Sequence, residues 1–136
     1  MKTFIGICVV GAILIGVTSA QDSARPPLTK GVSVQMPAAA HAVEVRAADR
    51  PNSIVVAITA AGKIYNGIEP VEPEALSRLS AQTVYVKADS RVPFQTVLAV
   101  LDALRGKQVV LLAAPPAKPD SAGTVWPYGI TVNLPR

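Results

Sequence analysis

This chain is poor in the residues that most chemistry needs. Of its 136 residues, one is histidine and one is cysteine. A single thiol leaves no disulfide for the domain, and Cys8 sits inside an N-terminal apolar run, where it reads as a small hydrophobe. His41 lies between alanines with no Cys, Asp or Glu at ligand spacing, so it is a poor metal ligand and reads as a surface or linker residue. A Ser-His-Asp triad would need that same histidine, and no G-x-S-x-G elbow is present. The phosphate-cradling patterns G-x-G-x-x-G and G-K-[ST] are missing too. No catalytic, cofactor-binding or metal-ligating residue is assigned, no cofactor is expected, and the chain is not expected to be an enzyme.

Aromatic residues make up 4% of the chain, charged residues 16% and hydrophobic residues 50%. The core must therefore be built from Val, Ile, Leu and Ala, and the composition is not that of a disordered polymer. The net charge is +4, but the 13 Lys and Arg are scattered from Lys2 to Arg136 without a run. A basic patch interleaved with aromatics is lacking, so nucleic acid is not an expected partner. The length suits one small domain.

The first twenty residues stand apart. Met1-Lys2 precedes an uninterrupted apolar or Gly run, Phe4 to Val17, and Thr18-Ser19-Ala20 supplies small residues before Gln21. The run is short of the ~20 residues that cross a bilayer. Residues 1–20 read as a secretory signal peptide, or else as a short membrane anchor. In either case the rest is expected to be exported: periplasmic or secreted, or held at the bacterial inner membrane with the domain in the periplasm. Residues 21–30, with Pro26-Pro27, read as a linker.

The densest structural signal runs from Thr83 to Leu112. Thr83-Val84-Tyr85-Val86 suits a strand. Lys87 to Arg91 breaks the apolar pattern. Pro93 suits a first helical position and biases Val92 away from helical angles. Phe94, Val97, Leu98, Leu101 and Leu104 recur on one helical face, and Gly106 is placed to end the helix. Val109 to Leu112 reads as a buried strand. Together these predict a strand–helix–strand unit.

Upstream, Ile54 to Thr59 and Ile64-Tyr65 predict a hairpin, with Gly62 in its turn. Asn66-Gly67 signals a second turn. Pro73 opens a short helix with Leu76 and Leu79 on its apolar side. Val32-Ser33-Val34-Gln35-Met36 alternates and predicts a half-buried strand stopped by Pro37. Ala38 to Asn52 reads as loop. Beyond the Pro-rich stretch after Leu112, Tyr128 to Pro135 predicts another strand. Ile130 to Pro135 matches Val32 to Pro37 in polarity at every position. Short alternating strands resemble one another by default; the sharper reading is a second copy of an edge strand, pairing with this chain's sheet or a neighbour's.

Several of these pieces, taken in order, resemble the periplasmic domain of the ExbD/TolR biopolymer-transport family. Lys87-Ala88-Asp89 stands where the family has an R/K-A-D triplet, Val92-Pro93-Phe94 where it has a V-x-Y/F turn, and Thr96 to Leu104 where it has a T-V-x-x-V-x-D-x-L helix. The likeness extends through Ser53–Tyr65 and Gly31–Pro37, covering most of Gly31 to Pro115. One feature departs from the pattern. The family's transmembrane aspartate, thought to couple proton flow, has no counterpart, since no Asp or Glu lies between Thr3 and Gln21. No residue here inherits that role.

The expected fold is α+β: a mixed sheet of about five strands with two helices on one face. The expected organisation is residues 1–20 signal or anchor, 21–30 linker, 31–114 the ExbD/TolR-like domain, and 115–136 a Pro-rich linker and strand-like tail. The resemblance implies a non-enzymatic envelope protein, an accessory of proton-motive-force-driven biopolymer transport that docks a TonB- or motor-subunit-type partner. As alternatives ranked behind it, the resemblance admits a membrane-anchored transporter subunit of such a system and a peptidoglycan-binding periplasmic module. It implies dimeric behaviour, and membrane contact only through residues 1–20. Candidate partner contacts are Val32, Val34, Asp89, Arg91, Trp126, Tyr128 and Val132. For Asp89 the alternative is structural, as acceptor of turn N–H groups. For Trp126 and Tyr128 the alternative is anchoring the tail to the sheet.

Overall fold

The computed structural model describes residues 31–115 and 126–135. The N-terminal apolar segment with Cys8, the linker before Gly31 and residues 116–125 lie outside the described residues. Among those described, no helix is long and apolar enough to cross a membrane.

The strands are β1 (Val43–Glu44), β2 (Ile54–Ile58), β3 (Ile64–Asn66), β4 (Glu69–Pro70), β5 (Thr83–Ala88), β6 (Gln108–Ala113) and β7 (Tyr128–Val132); the helices are α1 (Pro73–Leu76) and α2 (Phe94–Ala103). The strands form one mixed sheet in the order β1-β7-β6-β5-β2-β3-β4. The class is α+β with two helices, as expected, but the sheet has seven strands rather than about five. The extra two are the two-residue pieces β1 and β4, too short to show any periodicity.

Local chemistry accounts for most of this. β5 and β6 pair in parallel, with α2 between them in the chain, giving the predicted strand–helix–strand unit. β2 and β3 form the predicted antiparallel hairpin, and Gly62 takes φ +81° in its turn. Gly67 (φ +64°) makes the second turn, which leads into β4. Pro73 opens α1, where its missing N–H removes nothing a helix uses.

The core lies mainly between the sheet and the helices. Val56, Ile58, Val84, Val86 and Val109 of the sheet pack with Leu76 of α1, with Val100 of α2 and with Leu104 at its C-cap. The helical face read from the sequence holds for Leu104, which is fully buried, and for Val97 and Leu101, which pack against the core. It is corrected at Val100, which is also fully buried, and at Phe94 and Leu98, which are 71% and 48% exposed. Pro93 is the residue before the helix rather than its first.

The opposite face carries a second cluster of Val55, Tyr85, Val110 and Leu112 with Ala48, flanked by Met36, Val45 and Ala47. Residues upstream of β2 thus cover the face that the helices leave open. Part of that cover is a 3₁₀ turn, Arg46–Asp49, inside the expected loop. The predicted strand Val32–Met36 is not a strand. It runs as an extended strap: Ser90 N–H donates to the Gln35 carbonyl (2.7 Å) and Ala114 N–H to the Pro37 carbonyl (2.9 Å). Val32, Val34 and Met36 are half-buried while Ser33 and Gln35 are exposed. The alternation correctly marks the buried side. It does not reveal whether the backbone pairs within a sheet.

Candidate docking surface

Asp89 closes β5 at the end of the sheet crossed by the strap. Asp89 N–H continues the parallel ladder to the Ile58 carbonyl at 2.8 Å. Its side chain is 4% exposed and Arg91's is 67% exposed. Arg91 Nε donates to Oδ1 at 2.9 Å and Nη2 to Oδ2 at 3.0 Å. Arg91 N–H also donates to Oδ1 (3.0 Å), and Gln35 N–H to Oδ2 (3.1 Å). The Arg91 side chain first, then these two backbone donors, hold the Asp89 carboxyl well below the usual carboxylate range. Such a group stays ionised and does not shuttle protons. Its geometry fits the structural reading, in that it tightens the turn into α2 and latches the strap. It does not cap α2, which has no side-chain cap.

Lys87 lies two residues earlier on β5 and is 2% exposed. Burial pushes its ammonium pKa down.

The tail is part of the sheet. β7 pairs antiparallel with β6 from Val109↔Val132 to Ala113↔Tyr128. Of the two partners weighed for the tail, it is therefore this chain's own sheet that takes it. Trp126 sits just before β7, with the Arg46 guanidinium carbon 4.4 Å from its ring centroid. Val45 N–H donates to the Pro127 carbonyl at 2.7 Å. These contacts support the anchoring role for Trp126 and Tyr128. Val132 packs its side chain toward the helix-side core.

The candidate residues thus fall into separate places. Val32 and Val34 lie on the strap, Asp89 and Arg91 latch it, and Trp126, Tyr128 and Val132 belong to the tail strand. No single cleft gathers them. An open groove of about 810 Å³ lies elsewhere, lined by Lys63, Ile64, Glu72, Pro73, Gln95 and Thr96 among others. Its only charged lining groups are Lys63 and Glu72. Among the described residues there is no group of three or more His, Cys, Asp or Glu able to hold a metal. His41 is exposed.

The two sheet edges differ in kind. At one, β4 offers Glu69 and Pro70; the charge and the missing N–H both discourage strand addition. At the other, β1 pairs only with Gly129 and Tyr128. Because the Pro127 carbonyl faces β1, alternation turns the backbone groups of Gly129, Thr131 and Asn133 outward and those of Tyr128, Ile130 and Val132 toward β6. Beyond β1, the outward groups of Thr131 and Asn133 have no strand partner among the described residues. Both residues are exposed. Strand composition alone did not mark this edge, because it depends on where β1 stops. A comparison with profiles of known protein families finds no match, and a comparison with curated protein sequences finds none.

Proposed function

We propose that this chain is a non-enzymatic docking domain that works outside the cytoplasm. In this reading it is an ExbD/TolR-like accessory of proton-motive-force-driven biopolymer transport, and it engages a TonB-like or motor-subunit partner by strand addition. The observation that carries the reading is the open edge of β7, set against a β4 edge closed by Pro70. An exposed edge presents ready main-chain donors and acceptors to an extended segment. The strand–helix–strand unit β5-α2-β6, with Lys87-Ala88-Asp89 at the end of its first strand, supports the family resemblance. The ion-paired Asp89 is a fixed structural charge, which suits a scaffold. Without an acid between Thr3 and Gln21, any proton site would be supplied by the partner.

The test is capture of partners from bacterial envelope extracts with the full chain and with Thr131→Pro, which removes one outward N–H of β7. Wild type retains an envelope transport protein and the variant loses it. Equal capture by both would exclude the β7 edge. Co-sedimentation with purified cell wall in place of any protein partner would favour the peptidoglycan-binding module.

A further inference from the structure

We propose that the folded domain itself touches a lipid bilayer, through the apolar corner where α2, β7 and β1 meet. This contact is separate from the docking edge of β7. It is also additional to residues 1–20, the only membrane contact that the resemblance implies.

Topology builds the corner. β5 and β6 run parallel, so α2 starts at the end of the sheet where β6 finishes. β7 starts there too, because Tyr128 pairs with Ala113 and Ile130 with Leu111. Val43 of β1 pairs with Gly129 at the same end. Phe94 and Leu98 lie on the flank of α2 away from the groove that Gln95, Thr96 and Ala99 share with α1, so they lean toward β7. Leu111 and Val132 pack on the helix side of the sheet, and alternation along β7 puts Ile130 on that side as well. Among the described residues five large hydrophobics are exposed, and Phe94, Leu98, Ile130 and Val43 are four of them. The fifth, Ile68, lies in the turn between β3 and β4, at the other edge of the sheet. The aromatics gather in the same way. Of Tyr65, Tyr85, Phe94, Trp126 and Tyr128, the last three are at this corner. Exposed apolar side chains scattered singly need no explanation, whereas a contiguous group marks a contact surface.

A bilayer suits this corner better than a protein does. Sites for a defined ligand are concave, and the groove of this domain lies on the opposite flank of α2. The corner instead presents projecting side chains, which a fluid phase accommodates without a matching shape. Arg91 and Arg46 border it, largely exposed, and each is paired with an acid, Asp89 and Glu44. The border is therefore close to neutral, and contact is driven by burial of apolar surface rather than by attraction to anionic groups. Arginine stems lie along apolar surface while their heads stay in water. Phe, Trp, Tyr and Arg together are the composition of an interfacial contact. The chain length also allows it. Residues 18–30, between the N-terminal apolar run and Gly31, can extend about 45 Å. That exceeds the diameter of a domain of about 100 residues, roughly 35 Å. With residues 1–20 retained as an anchor, the corner reaches the same bilayer.

The test uses the full chain, in which Trp126 is the sole tryptophan and reports from the corner itself. The chain is reconstituted into phosphatidylcholine vesicles with and without brominated acyl chains, which quench indole fluorescence on close approach. Trp126 emission is expected to fall at least twofold in the brominated vesicles. Phe94→Gln combined with Leu98→Gln, at an unchanged circular dichroism spectrum, is expected to recover most of that emission. Ile68→Gln, at the far edge, is expected to leave the quenching intact. An unquenched wild type, or equal quenching in wild type and the double variant, would overturn the proposal. Loss of envelope-partner capture by that double variant, with quenching intact, would assign the corner to a protein instead. A chain quenched through Phe94 and Leu98 that captures no envelope protein would uphold the bilayer contact and remove only the docking reading.

Discussion

Asp89 grips Arg91 at two points, through Nε to Oδ1 and Nη2 to Oδ2, while the same carboxylate accepts the Gln35 N–H from the strap. One buried acid thus joins the β5–α2 turn to a segment 54 residues away in the chain. Asp89→Ala is expected to lower the melting temperature more than Arg91→Ala. The first change leaves the Gln35 and Arg91 backbone donors without their acceptor; the second leaves both bonds in place. Thermal unfolding of the two variants measures the order, and equal losses would show that the strap latch contributes nothing.

The same group sets an acid limb. Its folded pKa is depressed, below an unfolded value of about 3.9. The unfolded chain therefore binds its proton first as pH falls. The contribution is full above about pH 4 and fades on further acidification. Urea midpoints between about pH 6 and pH 3 should fall more for wild type than for Asp89→Asn; parallel curves would contradict this.

Lys87 acts at the other end of the pH scale. Burial lowers its folded pKa below the unfolded value of about 10.4. Between the two, the unfolded state holds more protons, so stability rises as pH rises through that window. Lys87→Met is expected to lose this alkaline gain, measured as the urea midpoint against pH on the basic side of neutrality.

Leu98 on α2 belongs to the sequence-derived face alone, whereas Leu104 at the C-cap belongs both to that face and to the observed core. Leu104 is 0% and Leu98 48% exposed. Leu104→Ala is expected to cost about 2–5 kcal/mol by leaving a cavity. Leu98→Ala is expected to cost within roughly 0.5 kcal/mol, as at a surface position. Chemical denaturation of both variants decides, and a larger loss at Leu98 would restore the sequence-derived face.

Two glycines with positive φ are expected to respond differently to alanine. Gly31 has φ +71°, and a Cβ there would lie 2.3 Å from the Gly67 carbonyl oxygen. Gly106 has φ +86° with open space around it. Gly106→Ala should cost about 1–2 kcal/mol, the left-handed penalty alone. Gly31→Ala should additionally lift the start of the strap, seen as faster amide exchange at Ser90, whose N–H bonds the strap carbonyl of Gln35. Unchanged exchange would show that the strap does not depend on that contact.

Much of the fold was legible because its signals are local. The β2–β3 hairpin, the Pro73 helix start, the Gly106 stop and the β5-α2-β6 unit each rest on residues within a few positions of one another. The candidate contacts were harder to read. Asp89 stood out beside Arg91, and its latch on Gln35 was invisible because that partner is remote. Phe94 and Leu98 share a helical stripe with Val97 and Leu101. Which edge of the stripe meets the sheet depends on how α2 lies across β5 and β6, and no period records that.

The amino-acid order by itself determined which stretches are extended or helical and which side of each is apolar, since these follow from side-chain spacing and from Pro and Gly backbone preferences. Only the tertiary structure decided that Val32–Pro37 is a strap while its look-alike Ile130–Pro135 begins in a strand on β6. Both segments alternate in burial: Val32, Val34 and Met36 are half-buried, as are Val132 and Leu134, with Ile130 exposed. Main-chain hydrogen bonding to distant partners separates them, and it leaves no mark in local composition. The open edge at Thr131 and Asn133 has the same origin: it exists because β1 stops after two residues.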